Sequence, residues 1–259
     1  MALFVALALP GSAWAEAEPE KPEASGSFAP EALPRAGVAP ISLKLGFEVV
    51  AEEGVQPSIE SIAIDISHRI LLRGKGLASC PPLTLLSEYG GGECLESQIG
   101  RGRVVSEIRE EKGEPVIVDG KLRAYYSFAY KSPKILALVQ TGAPMNLTYV
   151  IPFRIIRQEG TYRTRLFVRD MRHLQGICLG VGCYWGTYGL NGIYTRISDF
   201  ELSLHRRFLA EGERRSFVST GCAAPGKQRE ASFPLARITL GFDDSPHIAG
   251  QTGHCKAIG

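Results

Sequence analysis

Apolar and polar side chains alternate with period two through much of the chain. Ile41, Leu43, Leu45, Phe47 and Val49 take every second position, and Ile62, Ile64 and Ile66 repeat the pattern after a turn-rich stretch at 52–58. Successive side chains of a strand point to opposite faces, so this spacing predicts strands with one buried face. Residues 103–108, 116–118, 122–128 and 135–139 are further predicted strands. Leu147, Tyr149, Ile151, Phe153 and Ile155 alternate across Pro152. Proline cannot donate to a ladder, so this strand is expected at an edge or at a bulge. Residues 162–168 complete a hairpin through Gln158-Glu159-Gly160. Ile193 and Ile197 share one parity, whereas Phe200, Leu202 and Leu204 share the other. That switch predicts a bulge or a sheet corner near Ser198-Asp199. Phe217 and residues 238–242 supply the last predicted strands, and helix is expected only over 83–89 and 170–176.

Turn residues separate these runs at short intervals, with 29 glycines and 16 prolines in the chain. Many short strands without long intervening helices predict an all-β fold. The expected architecture is an antiparallel β-sandwich, jelly-roll-like, or a barrel with short helical insertions. No repeat of fixed period divides it, so residues 41–259 are read as one β-rich domain.

The first forty residues have a different character. Residues 1–9 are almost wholly apolar, Pro10-Gly11-Ser12 breaks the run, and Ala13-Trp14-Ala15 offers small residues at an A-x-A cleavage site. This predicts a signal peptide over 1–15. The run is shorter than the roughly 20 residues that span a bilayer. Residues 16–40, rich in Pro, Glu and Ala, are expected to form a disordered linker, because little apolar surface offsets their ordering entropy. No later segment predicts a membrane span. The expected location is extracytoplasmic, either secreted or associated with the cell wall.

Charge adds an exclusion. The chain carries +2, but residues 16–40 hold five acidic and two basic groups, which leaves +5 on the rest. That is a mild excess, not the dense basic field of a nucleic-acid binder, so no nucleic acid is expected as partner. Six cysteines in an exported chain suggest disulfides. Several connectivities are open, and the local one is expected: Cys80–Cys94, Cys178–Cys183 and Cys222–Cys255. Zinc-finger spacing is absent.

Candidate chemistry is sparse. There is no G-x-S-x-G, and nothing in the sequence brings Ser219 to His205. Glu107, Asp119, Asp199 and Glu201 are the carboxylates that a glycosidase pair would draw on, and each reads as a surface charge. Asp243-Asp244 with His247 and His254 forms a polar group better explained as a turn. No catalytic residue, metal or cofactor is therefore expected. The most suggestive segment is 178–194, "CLGVGCYWGTYGLNGIY", which sets Tyr184, Trp185, Tyr188 and Tyr194 among glycines. Exposed aromatic faces can stack on sugar rings, and Arg163, Arg165, Arg169 and Arg172 would add a basic rim. The competing reading is that these rings pack over the open end of the sandwich.

The segments "KGLASCPP", "CLESQIGRGRVVSEI", "LTYVIPFRI", "FELSLHRRF" and "SFVSTGCAAPG" resemble those of an uncharacterised family of exported bacterial β-rich proteins. The resemblance implies an exported β domain and assigns no activity or functional residue. The expected function is a non-enzymatic module of the cell envelope. Its partner would be cell-wall polysaccharide, bound through the aromatic segment with Arg169, or another envelope protein. An exported hydrolase of glycans or esters and a structural envelope component are the alternatives.

Overall fold

The computed structural model describes residues 22–50, 58–86, 90–110, 114–128, 132–171, 176–179, 182–185, 193–242 and 246–258. The predicted signal peptide and the Asp243-Asp244 turn lie outside them. The N-terminal strands are β1 (Glu23–Ala29), β2 (Ala32–Pro34), β3 (Ala39–Pro40), β4 (Ser42–Glu48), β5 (Ser61–Ser67) and β6 (Leu71–Leu72). Two short helices follow, α1 (Pro82–Leu86) and α2 (Gly90–Glu93). The central strands are β7 (Gln98–Glu110), β8 (Val116–Ser127), β9 (Lys134–Thr141), β10 (Thr148–Arg157) and β11 (Tyr162–Arg169). A small hairpin, β12 (Gly176–Leu179) and β13 (Gly182–Trp185), precedes β14 (Ile193–Leu204). The chain ends with β15 (Arg207–Ala210), β16 (Glu213–Ser216), β17 (Val218–Thr220), β18 (Glu230–Gly241) and β19 (Pro246–Ile258).

The fold is all-β, as the alternation predicts. One large sheet runs β1-β4-β14-β7-β8-β9-β10-β11-β5-β18-β19-β2, antiparallel except for the β19–β2 pair. Its two ends approach each other. Gln251 Nε2 donates to the Ala24 carbonyl across the seam, and Phe28 stacks on Phe233 at 5.8 Å. Gly26 permits this closure, since a Cβ there would fall 3.1 Å from Leu235 Cδ2. The result is nearly a barrel. Its interior is filled by side chains from neighbouring and distant strands: Phe200 of β14 stacks on its cross-strand partner Phe47 at 5.5 Å and also meets Phe153 of β10 at 5.6 Å. The Tyr149 phenol is buried there and shares a hydrogen bond with Ser106 Oγ at 3.0 Å. Burial pushes its pKa up to about 12 despite that bond, so it stays protonated at neutral pH.

Several sequence expectations are corrected. Residues 23–40 of the expected linker carry β1, β2 and β3, and Phe28 and Leu33 are buried. Composition undervalues this stretch because its stability comes from seven backbone partners on β4, not from its own apolar content. The strands expected at 116–118 and 122–128 are one strand, β8. Gly120 carries it through a close approach, where a Cβ would lie 2.4 Å from Val139 Cγ1. The helix expected over 170–176 is not one at its described ends, since Asp170 has φ of 58° and Gly176 opens β12. The 13-residue β19 was hidden by its polar, glycine-containing sequence, PHIAGQTGHCKAI.

The parity switch in β14 is the expected bulge, between Ile197 and Asp199. Pro152 meets neither form of its expectation, since β10 lies inside the sheet and its register with β9 has no bulge; instead the proline sits where β10 is paired on one side only, because on the other side β12 stops at Tyr149 and β11 starts at Arg154. The missing N–H costs nothing there, and the sheet forks around it. Cys80–Cys94 and Cys222–Cys255 are both disulfides. The first clasps α1, α2 and a 3-10 turn (Leu95–Ser97) over the outer face of β8–β10. A second apolar cluster forms beneath, from Leu85, Leu86, Tyr125, Leu136, Leu138 and Val150.

Candidate functional site

The structure places the sequence-predicted aromatic segment only in part. The side chains of Tyr184, Trp185, Tyr188, Tyr194, Cys178 and Cys183, and all of Arg172, lie outside the described residues. The backbone register sets Cys178 directly opposite Cys183, and the β12–β13 hairpin joins the sheet through Thr148 and Tyr149 of β10. Arg169 is exposed at the end of β11, its guanidinium 5.4 Å from the Phe167 ring centroid.

Arg165 does something else. It makes two hydrogen bonds to Asp65, at 2.6 and 3.0 Å, while Arg237 approaches the same carboxylate from the opposite strand at 2.8 Å. Asp65 is fully buried between them on β5. Burial raises its pKa, but the hydrogen bonds and charges of Arg165 and Arg237 outweigh that, and the net shift is downward. Sequence reasoning missed this ladder, because an acid between Ile64 and Ile66 looks like an ordinary solvent-facing position.

The carboxylates considered for hydrolysis are each matched to a cation. Arg103 binds Asp119 through two nitrogens and Asp199 through a third. Lys44 lies 2.7 Å from Glu201, and Arg196 lies 3.2 Å from Glu107. His254 shares a hydrogen bond with Ser232, and His247 packs edge-on against Phe242. Among the described residues, no three His, Cys, Asp or Glu side chains come together as metal ligands would.

The concave feature with the most marked chemistry lies at one end of the sheet, where β6, the ends of β8 and β10, and β16 converge. It is a cleft of about 560 Å³. Leu72, Tyr126, Ile155 and Phe217 supply apolar walls, and half-exposed Phe128 stands at its mouth. Gly74 lets the Tyr126 ring lie flat on the backbone, since a Cβ there would fall 2.4 Å from Tyr126 Cζ. Four cations also line it: Arg73, Lys75, Arg157 and Arg215. Arg157 is oriented by bonds to Thr164 Oγ1 at 2.6 Å and the Leu72 carbonyl at 2.8 Å. Arg215 is held by Glu211 and Glu213. Arg73 and Lys75 are exposed and have no carboxylate partner among the described residues. The Tyr126 phenol is pushed up by burial, with Arg157 pulling the other way, so it is a neutral donor at pH 7.

This arrangement can hold a negative charge beside apolar surface. Among the described residues that line it there is no histidine, cysteine or serine. None of its cations was singled out from sequence. They come from residues 73–75, 157 and 215, which no local pattern links. No family model, curated protein or solved structure matches the chain.

Proposed function

We propose that the protein is an exported, non-enzymatic module of the cell envelope that binds an acidic ligand in the cleft of Arg73, Lys75, Arg157 and Arg215. The observation that carries this reading is the charge imbalance over an apolar floor: among the described residues, Arg73, Lys75 and Arg157 face no carboxylate, and the two that are near, Glu211 and Glu213, are both bonded to Arg215. Concave sites of this size with a few convergent polar groups suit small ligands or chain segments. Anions gain both long-range attraction and charge-assisted hydrogen bonds there. The two disulfides fit an oxidising compartment. No helix among the described residues is long and apolar enough to cross a membrane. An acidic wall polysaccharide satisfies these conditions, with exposed Phe128 offering ring surface to its sugars.

The test is calorimetric titration of the oxidised protein with uronic-acid oligosaccharides and with their neutral counterparts. The acidic series should bind, weaken as salt rises, and lose about tenfold in affinity or more with Arg73→Glu plus Lys75→Glu. Equal binding of acidic and neutral sugars, or an unchanged affinity in the double variant, rejects the cleft as the site.

A further inference from the structure

A second pocket, which shares no lining residue with the cleft and does not depend on that reading, lies beside the Cys222–Cys255 disulfide. It measures about 480 Å³ and is lined by Arg69, Ser232, His254 and Lys256 together with Glu31 and Glu230. Its walls are fixed. The disulfide ties one side to β19. Arg35 donates to the carbonyls of Ala224, Gly226 and Gln228, which clamps the loop that forms the other side. Lys256 N–H donates to the Glu31 carbonyl, fixing the base of the two charged residues to one another. A site held this way loses little entropy when a ligand enters.

Arg69 is the anomaly. Its guanidinium lies over the Phe233 ring, 5.4 Å from the centroid. Its Nη1 is buried and has no hydrogen-bond partner among the described residues. An unmatched buried N–H on a charged group is costly, and most such groups in proteins are satisfied. Beside it, Ser232 Oγ and His254 Nδ1 sit 2.9 Å apart as a preformed polar pair. Lys256 and Glu230 are only loosely paired at 3.8 Å.

The charges decide the ligand class. Arg69 and Lys256 are balanced by Glu31 and Glu230, so the pocket has almost no net charge. A dianion such as phosphate would meet two carboxylates. A ligand with its own positive charge would not suffer this. We infer that the pocket takes the carboxylate of a small zwitterion, a free α-amino acid or the equivalent group of a short peptide, with Arg69 receiving the carboxylate and Glu230 or Glu31 receiving the ammonium.

The experiment is titration of the oxidised protein with alanine, acetate and inorganic phosphate. Alanine should bind saturably, with acetate about tenfold weaker and phosphate weaker still. Arg69→Gln should abolish alanine binding. Because Arg69 also packs on Phe233, a second variant guards against simple unfolding: Glu230→Gln, at an exposed position, should weaken alanine while acetate binds as well or better. Absence of alanine binding up to about 10 mM overturns the inference. So does phosphate binding more tightly than alanine, or an alanine affinity untouched by both variants. Loss of cleft binding in Arg73→Glu plus Lys75→Glu has no bearing on these outcomes.

Discussion

Two outward faces of the same sheet are buried by opposite means. Over β8–β10, Tyr125, Leu136, Leu138 and Val150 lie under a separate piece of chain, the helical excursion closed by Cys80–Cys94. Over β11, β5 and β18, Ala63, Asp65 and Ser67 are just as buried, with long side chains of the neighbouring strands laid across Asp65. Arg165 and Arg237 extend over the Asp65 carboxylate, and Arg237 also stacks on Tyr162 at 4.8 Å. The contrast shows what each kind of cover requires. Helices of five and four residues are too short to hold themselves, so the first cover depends on a cross-link and an apolar underside. The second needs only cations long enough to bury their stems and reach a shared acid.

The comparison breaks most severely at the apolar face. Leu136→Ala should cost about 2–5 kcal/mol in denaturant unfolding, since it opens a cavity under a cover that cannot collapse without straining its cross-link. Next is the cross-link itself. Cys80→Ser with Cys94→Ser should cost about 2–4 kcal/mol and admit protease at 81–93 before the sheet unfolds, which limited proteolysis would show. If the helical cover stays resistant, its packing alone holds it and the contrast fails.

The charged face should respond less. Asp65→Asn removes a carboxylate that two guanidiniums share. Because both arginines are partly exposed and can turn to water, a loss of about 1.5–3 kcal/mol is expected. Its pH dependence separates the faces further. The folded pKa of Asp65 lies below its ordinary 3.8, so its contribution is complete above pH 3.8 and is lost as pH falls through the lower folded value. Acid titration of stability should therefore be shallower in Asp65→Asn than in the native chain, and unchanged in slope in Leu136→Ala. The smallest effect is expected where a face has no cover at all. Ile117→Lys, at a side chain 71 % exposed on β8, should alter stability by less than about 0.5 kcal/mol.

Legibility in the sequence followed the range of the interactions. The bulge after Ile197 and the hairpin at Gly160 were readable because each depends on near neighbours. The apolar run 135–139 marked β9 as a strand, but neither of the covers that bury its two faces was legible in it. β1 was misread as linker and β19 was missed because nothing local marks them, and the seam between them exists only once the sheet has curled round. The same holds for the cleft, whose cations sit on elements far apart in the chain, and for Arg69, which resembles any other arginine in a turn.

The alternation that commits the chain to strands, and the breaks that punctuate them, are written in the order of the residues. That order also carried the two local cysteine pairs whose bridges are described, because side-chain period, proline's missing N–H and short loop closure are properties of near neighbours. The curl of the strands into nearly a barrel, the place of residues 23–40 within it, and the charged groups that share a wall emerge only from the assembled fold. Those outcomes depend on contacts between residues distant in the chain, whose free energy appears only when the whole sheet has formed.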